Sequence, residues 1–217
     1  DIGKLFEYNF EHYNSLIYVP QNNESLDQIL WDGKWLKEPG KVFPANTDHP
    51  IFEKDKLRIF IDTKTWMEYL SRFDFVFGTR IHGNIMALLA GVPAYVLAHD
   101  SRTLELVEYF DIPHKNMSEV DPKTLASQFH QEADYSKLLS GHQKRFETWI
   151  AFLEKNNLKH IYQDGEDKGQ AFNSQLESCS FLPPMPTLPN QTIQHAQQRL
   201  IWQMLNTKRL VAKLKSD

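Results

Sequence analysis

Between Leu57 and Phe110 short apolar runs alternate with amphipathic stretches, and the links between them are a few residues long. Leu57-Arg58-Ile59-Phe60-Ile61-Asp62 reads as a strand. Thr65-Trp66-Met67-Glu68 offers a capping box that opens a helix through about Phe73. Phe75-Val76-Phe77-Gly78 is a second strand. Ile81, Ile85, Leu88 and Leu89 then fall at helical spacing, and Gly91 followed by Pro93 closes that helix. Ala94-Tyr95-Val96-Leu97 is a third strand, and Leu104 to Phe110 a third helix started by Asp100 or Ser101. Three strand-helix steps with tight links predict an α/β fold, a parallel sheet flanked by helices.

The flanks carry weaker signals. Leu16-Ile17-Tyr18-Val19 reads as a short buried strand stopped by Pro20-Gln21-Asn22-Asn23, and Trp31 to Pro50, with Gly33, Pro39, Gly40 and Pro44, as surface loop. Ser118 to Leu158 reads as helices with polar breaks, with Asp121-Pro122 as a start signal and a long periodic stretch from Tyr135. Residues 164–190 lose periodicity and hold Gly165, Gly169, Pro183, Pro184, Pro186 and Pro189, the composition of a linker or arm. A last amphipathic helix, Thr192 to Leu214, carries Leu200, Met204 and Val211 on one side and ends in Lys208, Arg209, Lys213 and Lys215. Those cations suit the helix dipole; a peripheral membrane or partner contact is the alternative. The expected organisation is a lobe over 1–160, an arm over 161–190 and the helix over 191–217. No repeat of fixed period is present.

Composition bounds the function. The 217 residues contain 41% hydrophobic and 24% charged residues, ordinary globular usage, which argues against wholesale disorder. With 24 Lys+Arg against 28 Asp+Glu the net charge is −4, so no global attraction to nucleic acid is expected and any anion must be held by a local cluster. Cys179 is the single cysteine, which excludes an intrachain disulfide and a thiolate metal cluster from this chain. His12, His49 and His130 stand isolated, and no metal-ligand spacing is found. Apolar runs such as Ile85 to Ala90 fall far short of the ~20 residues that span a bilayer, and Asp1-Ile2-Gly3-Lys4 does not open a signal peptide. The expectation is a cytoplasmic protein, at most at the inner face of the membrane, and a chain cut from something longer.

The chemistry concentrates in Gly78-Thr79-Arg80-Ile81-His82-Gly83-Asn84, where a strand end runs straight into a helix. In open parallel sheets ligands sit beyond the carboxyl ends of the strands. The first turn of a helix offers unpaired N–H groups and partial positive charge to a phosphate or carboxylate. Arg80 can add a planar bidentate fork, and His82 can hold or transfer a proton near neutral pH. Gly83 removes a Cβ where the backbone approaches a ligand, and Gly78 frees the strand end to turn. The bland alternative, a solvated arginine beside an ordinary first-turn histidine, carries equal weight from the residues alone. The next strand end repeats the theme in Leu97-Ala98-His99-Asp100-Ser101-Arg102-Thr103: His99 and Arg102 could converge on the same anion, while Asp100 and Ser101 read better as helix caps. Asp62 is open to either reading.

Taken together, Thr79-Arg80-Ile81-His82-Gly83-Asn84, the Ala90-Gly91-Val92-Pro93 exit, the His99-Asp100-Ser101-Arg102-Thr103 turn and Ile112-Pro113-His114 resemble the polysaccharide pyruvyl transferase family over residues 57–115, with a fainter match at 16–21. The resemblance implies a Rossmann-like lobe of a two-lobed, glycosyltransferase-B-like enzyme, with the motif in the C-terminal lobe. It implies transfer of a pyruvyl group from phosphoenolpyruvate, the donor substrate, to two hydroxyls of a saccharide or lipid-linked oligosaccharide acceptor. The product is a cyclic ketal on an exopolysaccharide or capsule. By that similarity Arg80 holds the donor's phosphate or carboxylate and His82 serves as acid or anion ligand. Thr79, Gly83, Asn84, His99 and Arg102 complete the donor site. No cofactor, metal, nucleic acid or transmembrane segment is implied. Only a short part of an N-terminal lobe fits before residue 57. Two other readings stand beside this one: a nucleotide-sugar glycosyltransferase using the same loop for a diphosphate, and a non-catalytic glycan- or partner-binding module working through the C-terminal helix. Trp66 is expected to pack against the sheet.

Overall fold

The computed structural model describes residues 2–31, 43, 44 and 46–214. The chain divides into two compact units, one formed by Asp1–His12 and Ile61–Pro183, the other by Tyr13–Phe60 and Pro184–Asp217.

The first unit is built on a parallel sheet of β1 (Val76–Gly78), β2 (Ala94–Ala98) and β3 (His114–Asn116), in that order. Gly78 pairs with Val96 and Ala98 with Asn116. All five residues of β2 are buried, as a central strand covered on two faces requires. Alternation along the strands assigns the faces. Tyr95 and Leu97 join Phe75 and Phe77 against Leu5 of α1 (Ile2–His12) and Phe129 of α7 (Ala126–Glu132). Val76, Ala94 and Val96 look the other way. There they meet α4 (Thr63–Leu70), α5 (Ile81–Leu89) and α6 (Ser101–Phe110), with Leu70, Ala87, Ile81 and Val107 at the centre. Trp66 packs on this second face, as the sequence led us to expect.

The two helices that separate the strands end in the same way. After α5, Gly91 takes the left-handed conformation (φ 78°), its N–H donates to Leu88 O, and the Val92 N–H donates to Ala87 O. After α6, Asp111 (φ 54°) donates to Glu108 O and Ile112 to Val107 O. Each is a Schellman stop with its apolar pair, Val92 on Ala87 and Ile112 on Val107, inside the core. Pro93 and Pro113 follow. Their carbonyls accept from Val76 and Val96, so each proline supplies the first rung of the sheet while needing no N–H of its own. Asp111 is tied down by Arg145 of α8 (Ser136–Lys155), whose Nη1 lies 2.9 Å from the carboxylate while Nη2 donates to Leu138 O.

The expected strand at 57–62 does not enter this sheet. Leu57 forms one parallel bridge with Tyr18, and Ile59 one antiparallel bridge with Met185, within the second unit. The third strand is His114–Asn116 instead, three polar residues whose half-burial leaves no apolar pattern to read. The capping box at Thr65 is also displaced: Asp62 caps α4, and the helix stops at Leu70, short of Phe73.

In the second unit, the Pro20-Asn23 stop turns out to precede α2 (Asn23–Trp31), with the Asn22 side chain accepting from the Ser25 N–H at 2.8 Å. The expected strand at 16–19 is reduced to the Tyr18 bridge. Of the expected loop from Trp31 to Pro50, residues 32–42 and 45 lie outside the described residues, as does Lys215. Residues 185–190 return to α3 (Pro50–Glu53) and the turn after it: Thr187 Oγ1 donates to Phe52 O at 2.7 Å, and Asn190 Nδ2 to Phe52 O at 3.1 Å. The aperiodic stretch 164–190 also contains a helix, α9 (Gln170–Ser178), in the first unit. The final helix is α10 (Ile193–Leu214).

Candidate functional site

Because β1, β2 and β3 are parallel and in register, their carboxyl ends leave the sheet at one edge. Thr79-Arg80 follows β1 there and His99-Asp100 follows β2. The helices α5 and α6 therefore present their N-termini at that same edge.

The two N-termini differ in charge. On α6 the N-cap is Asp100, whose carboxylate accepts from the Thr103 N–H at 2.7 Å. The Thr103 hydroxyl, then its N–H, hold the Asp100 carboxyl below the usual carboxylate range. His99 Nε2 lies 3.4 Å from the same carboxylate. Capping is thus the role of Asp100, and Ser101 simply begins the helix. Asp62 does the same for α4, accepting from the Thr65 N–H at 2.7 Å and from the Thr65 hydroxyl. Two of these three helices accordingly have a carboxylate at their N-terminus.

On α5 the N-cap is Arg80, with extended backbone (φ −87°, ψ 105°) and a side chain that makes no cap hydrogen bond. No carboxylate caps this dipole; a guanidinium stands at the cap and an imidazole, His82, two residues on. Arg80 and His82 are exposed, Thr79 is half-buried and Gly83 is buried. This end attracts an anion by the same physics that makes the neighbouring ends hold aspartate.

Asn84 sits differently from the others named with it. It is 2% exposed, and its Nδ2 donates to Gly78 O at 3.1 Å and Arg80 O at 2.9 Å. The amide clamps strand end and cap together, so Asn84 positions the Thr79-Arg80 turn. Among the described residues its buried Oδ1 has no hydrogen-bond partner. The sequence signal for this role is a polar residue four positions after the cap, on the same side of the helix as the apolar Ile81, Leu88 and Ala87. Arg102 is exposed in the first turn of α6, where its positive charge acts on Asp100.

Residues 5–101 match the family model of polysaccharide pyruvyl transferase, a family of transferases. The match bears out the resemblance carried by the Thr79–Asn84 loop and extends it upstream to Leu5 in α1. It stops at Ser101, so Arg102 and Ile112-Pro113-His114 lie beyond it. Comparison with curated proteins and with solved structures found no match.

Proposed function

Since residues 5–101 carry the pattern of the polysaccharide pyruvyl transferase family, we propose that the chain transfers the pyruvyl group of phosphoenolpyruvate to two hydroxyls of a saccharide acceptor, with the N-terminus of α5 as the donor site. The observation behind this reading is the contrast along one sheet edge: α6 is capped by a carboxylate, while α5 has at its cap Arg80, whose side chain makes no cap hydrogen bond.

Phosphoenolpyruvate carries a phosphate and a carboxylate. In the proposed reaction the guanidinium of Arg80 and the first-turn N–H groups hold one of these anions, and Thr79 offers a hydroxyl beside them. His82, as imidazolium, delivers a proton to the methylene carbon, which becomes the ketal methyl group. The cation that develops at the central carbon is taken by one sugar oxygen. Phosphate then leaves with its bridging oxygen, and the second sugar oxygen closes the ring. The two hydroxyl protons balance the one delivered to carbon and the one carried off on phosphate. Asn84 keeps the turn in place throughout.

Titration calorimetry of phosphoenolpyruvate against the chain, and against the Arg80→Ala variant, tests the donor site. Binding that the substitution weakens by a factor of ten or more, about 1.4 kcal/mol, is the expected result. Tighter binding of a nucleotide sugar than of phosphoenolpyruvate, or equal phosphoenolpyruvate binding by the variant, overturns the reading. In an acceptor assay read by the ketal methyl resonance, His82→Ala is expected to abolish product while leaving donor affinity within a few-fold.

A further inference from the structure

The apolar residues of α10 are turned outward. Ile193, Leu200, Met204 and Val211 are 79%, 59%, 55% and 45% exposed. At 3.6 residues per turn these four fall within a sector of about 40°, so they form one continuous stripe along the helix. Leu214 is exposed as well and widens it on one side. The helix sequence holds Arg199, Lys208, Arg209 and Lys213 and no Asp or Glu, in a chain whose net charge is −4.

We infer that α10 is an interfacial helix that lies along an anionic lipid surface, with the stripe from Ile193 to Val211 sunk to the acyl boundary. The charge pattern selects this occupant. A second copy of the helix would bring more cations and no carboxylate to answer them, which gives self-pairing no electrostatic support. Nucleic acid would attract the cations and leave the apolar stripe in water. An anionic bilayer answers the stripe with acyl chains and the cations with headgroups. Among the described residues no helix is long and apolar enough to cross a membrane, so α10 lies on the surface.

Flotation of the full chain with vesicles of phosphatidylcholine alone, and with vesicles of which about a third is phosphatidylglycerol, tests the inference. The chain is expected to float with the anionic vesicles, to stay down with the neutral ones, and to detach as salt shortens the Debye length. Lys208→Gln with Arg209→Gln is expected to weaken partitioning roughly thirtyfold, from about fivefold per cation. Leu200→Glu with Met204→Glu is expected to abolish it, with circular dichroism showing that the variant stays folded. Four results overturn the inference: no flotation on anionic vesicles, flotation undiminished by the Glu pair, dimerisation that the Glu pair removes in the absence of flotation, and capture by calcium-loaded calmodulin without flotation. The third assigns the stripe to a second copy, the fourth to an acidic protein groove.

Discussion

Asn84→Asp changes one atom type in the clamp beneath the candidate site, and its cost can be worked from the contacts. Asn84 Nδ2 donates to Gly78 O and Arg80 O in a position only 2% exposed. A carboxylate there would face two carbonyl oxygens with no donor to answer it, so the folded chain must keep the introduced carboxyl protonated. Holding a carboxyl of ordinary pKa near 3.9 neutral at pH 7 costs about 1.4 kcal/mol per unit over roughly 3 units, about 4 kcal/mol. A protonated carboxyl has one donor where the amide has two, which removes one bond worth about 1 kcal/mol. The expected loss at pH 7 is therefore about 5 kcal/mol, comparable to the whole stability of many domains.

The sign with pH follows from linkage. The folded chain holds this carboxyl above its unfolded pKa, so below about pH 4 only the lost bond remains, and the penalty grows as pH rises toward neutrality. Urea unfolding of the parent and the variant at pH 4.5 and pH 7 (about 2 kcal/mol penalty in the first case, about 5 in the second) reads it directly. Asn84→Ala is the control. It loses two bonds but also removes the stranded Oδ1, so its cost of about 1–2 kcal/mol should not change with pH. An Asn84→Asp penalty that is equal at the two pH values would refute the assignment of Nδ2 to the two carbonyls.

Two other perturbations address the frame around the site. Tyr95→Phe removes a buried hydroxyl shared between Glu132 Oε1 (2.6 Å) and His114 O (3.0 Å), and is expected to cost about 1–2 kcal/mol in chemical denaturation. Burial, then the bond to Glu132, raise the Tyr95 phenol above its usual range. Its share of stability is thus intact below about pH 10 and lost as the pH climbs beyond, a loss the Phe variant should not show. Gly91→Ala meets no atom within 4 Å of the added Cβ, so any effect comes from the left-handed backbone at φ 78°. That strain is worth about 1–2 kcal/mol, a fall in Tm of a few degrees by calorimetry, and an unchanged Tm would show that the α5 exit had relaxed out of the Schellman form.

Sequence periodicity found the elements that own their apolar residues. The five-residue run of β2, the face of α5 and the Gly91-Pro93 exit each carry the signal within themselves, and the structure has them within a residue of the expected bounds. Elements defined by distant partners were illegible. β3 is His114-Lys115-Asn116, a strand only because β2 lies beside it. Conversely, Leu57 and Ile59 alternate like a strand and are buried, yet find one partner each, Tyr18 and Met185. In α1 the buried positions are Leu5, Phe6 and Asn9, and the polar Asn9 broke the apolar pattern although it is bonded to Leu5 O and Thr124 O. At the site, residue types pointed to the strand-end loop, but the division of labour did not follow from them. Whether an aspartate caps or binds, and whether Asn84 clamps or contacts, depends on which backbone groups come within hydrogen-bond reach.

The return of residues 185–190 to the turn after α3 has a consequence for biosynthesis. The Thr187 hydroxyl reaches Phe52 O across 135 positions of chain, and the stretch between them contains nearly all of the first unit. A nascent polypeptide leaving the ribosome can assemble the sheet and its covering helices before these contacts exist. Until residue 190 emerges from the tunnel, Ile59 lacks its strand partner and Phe52 its hydroxyl donor. The half of the molecule begun early is therefore finished last, and a stop introduced just after Pro183 would release a chain whose second unit has no latch.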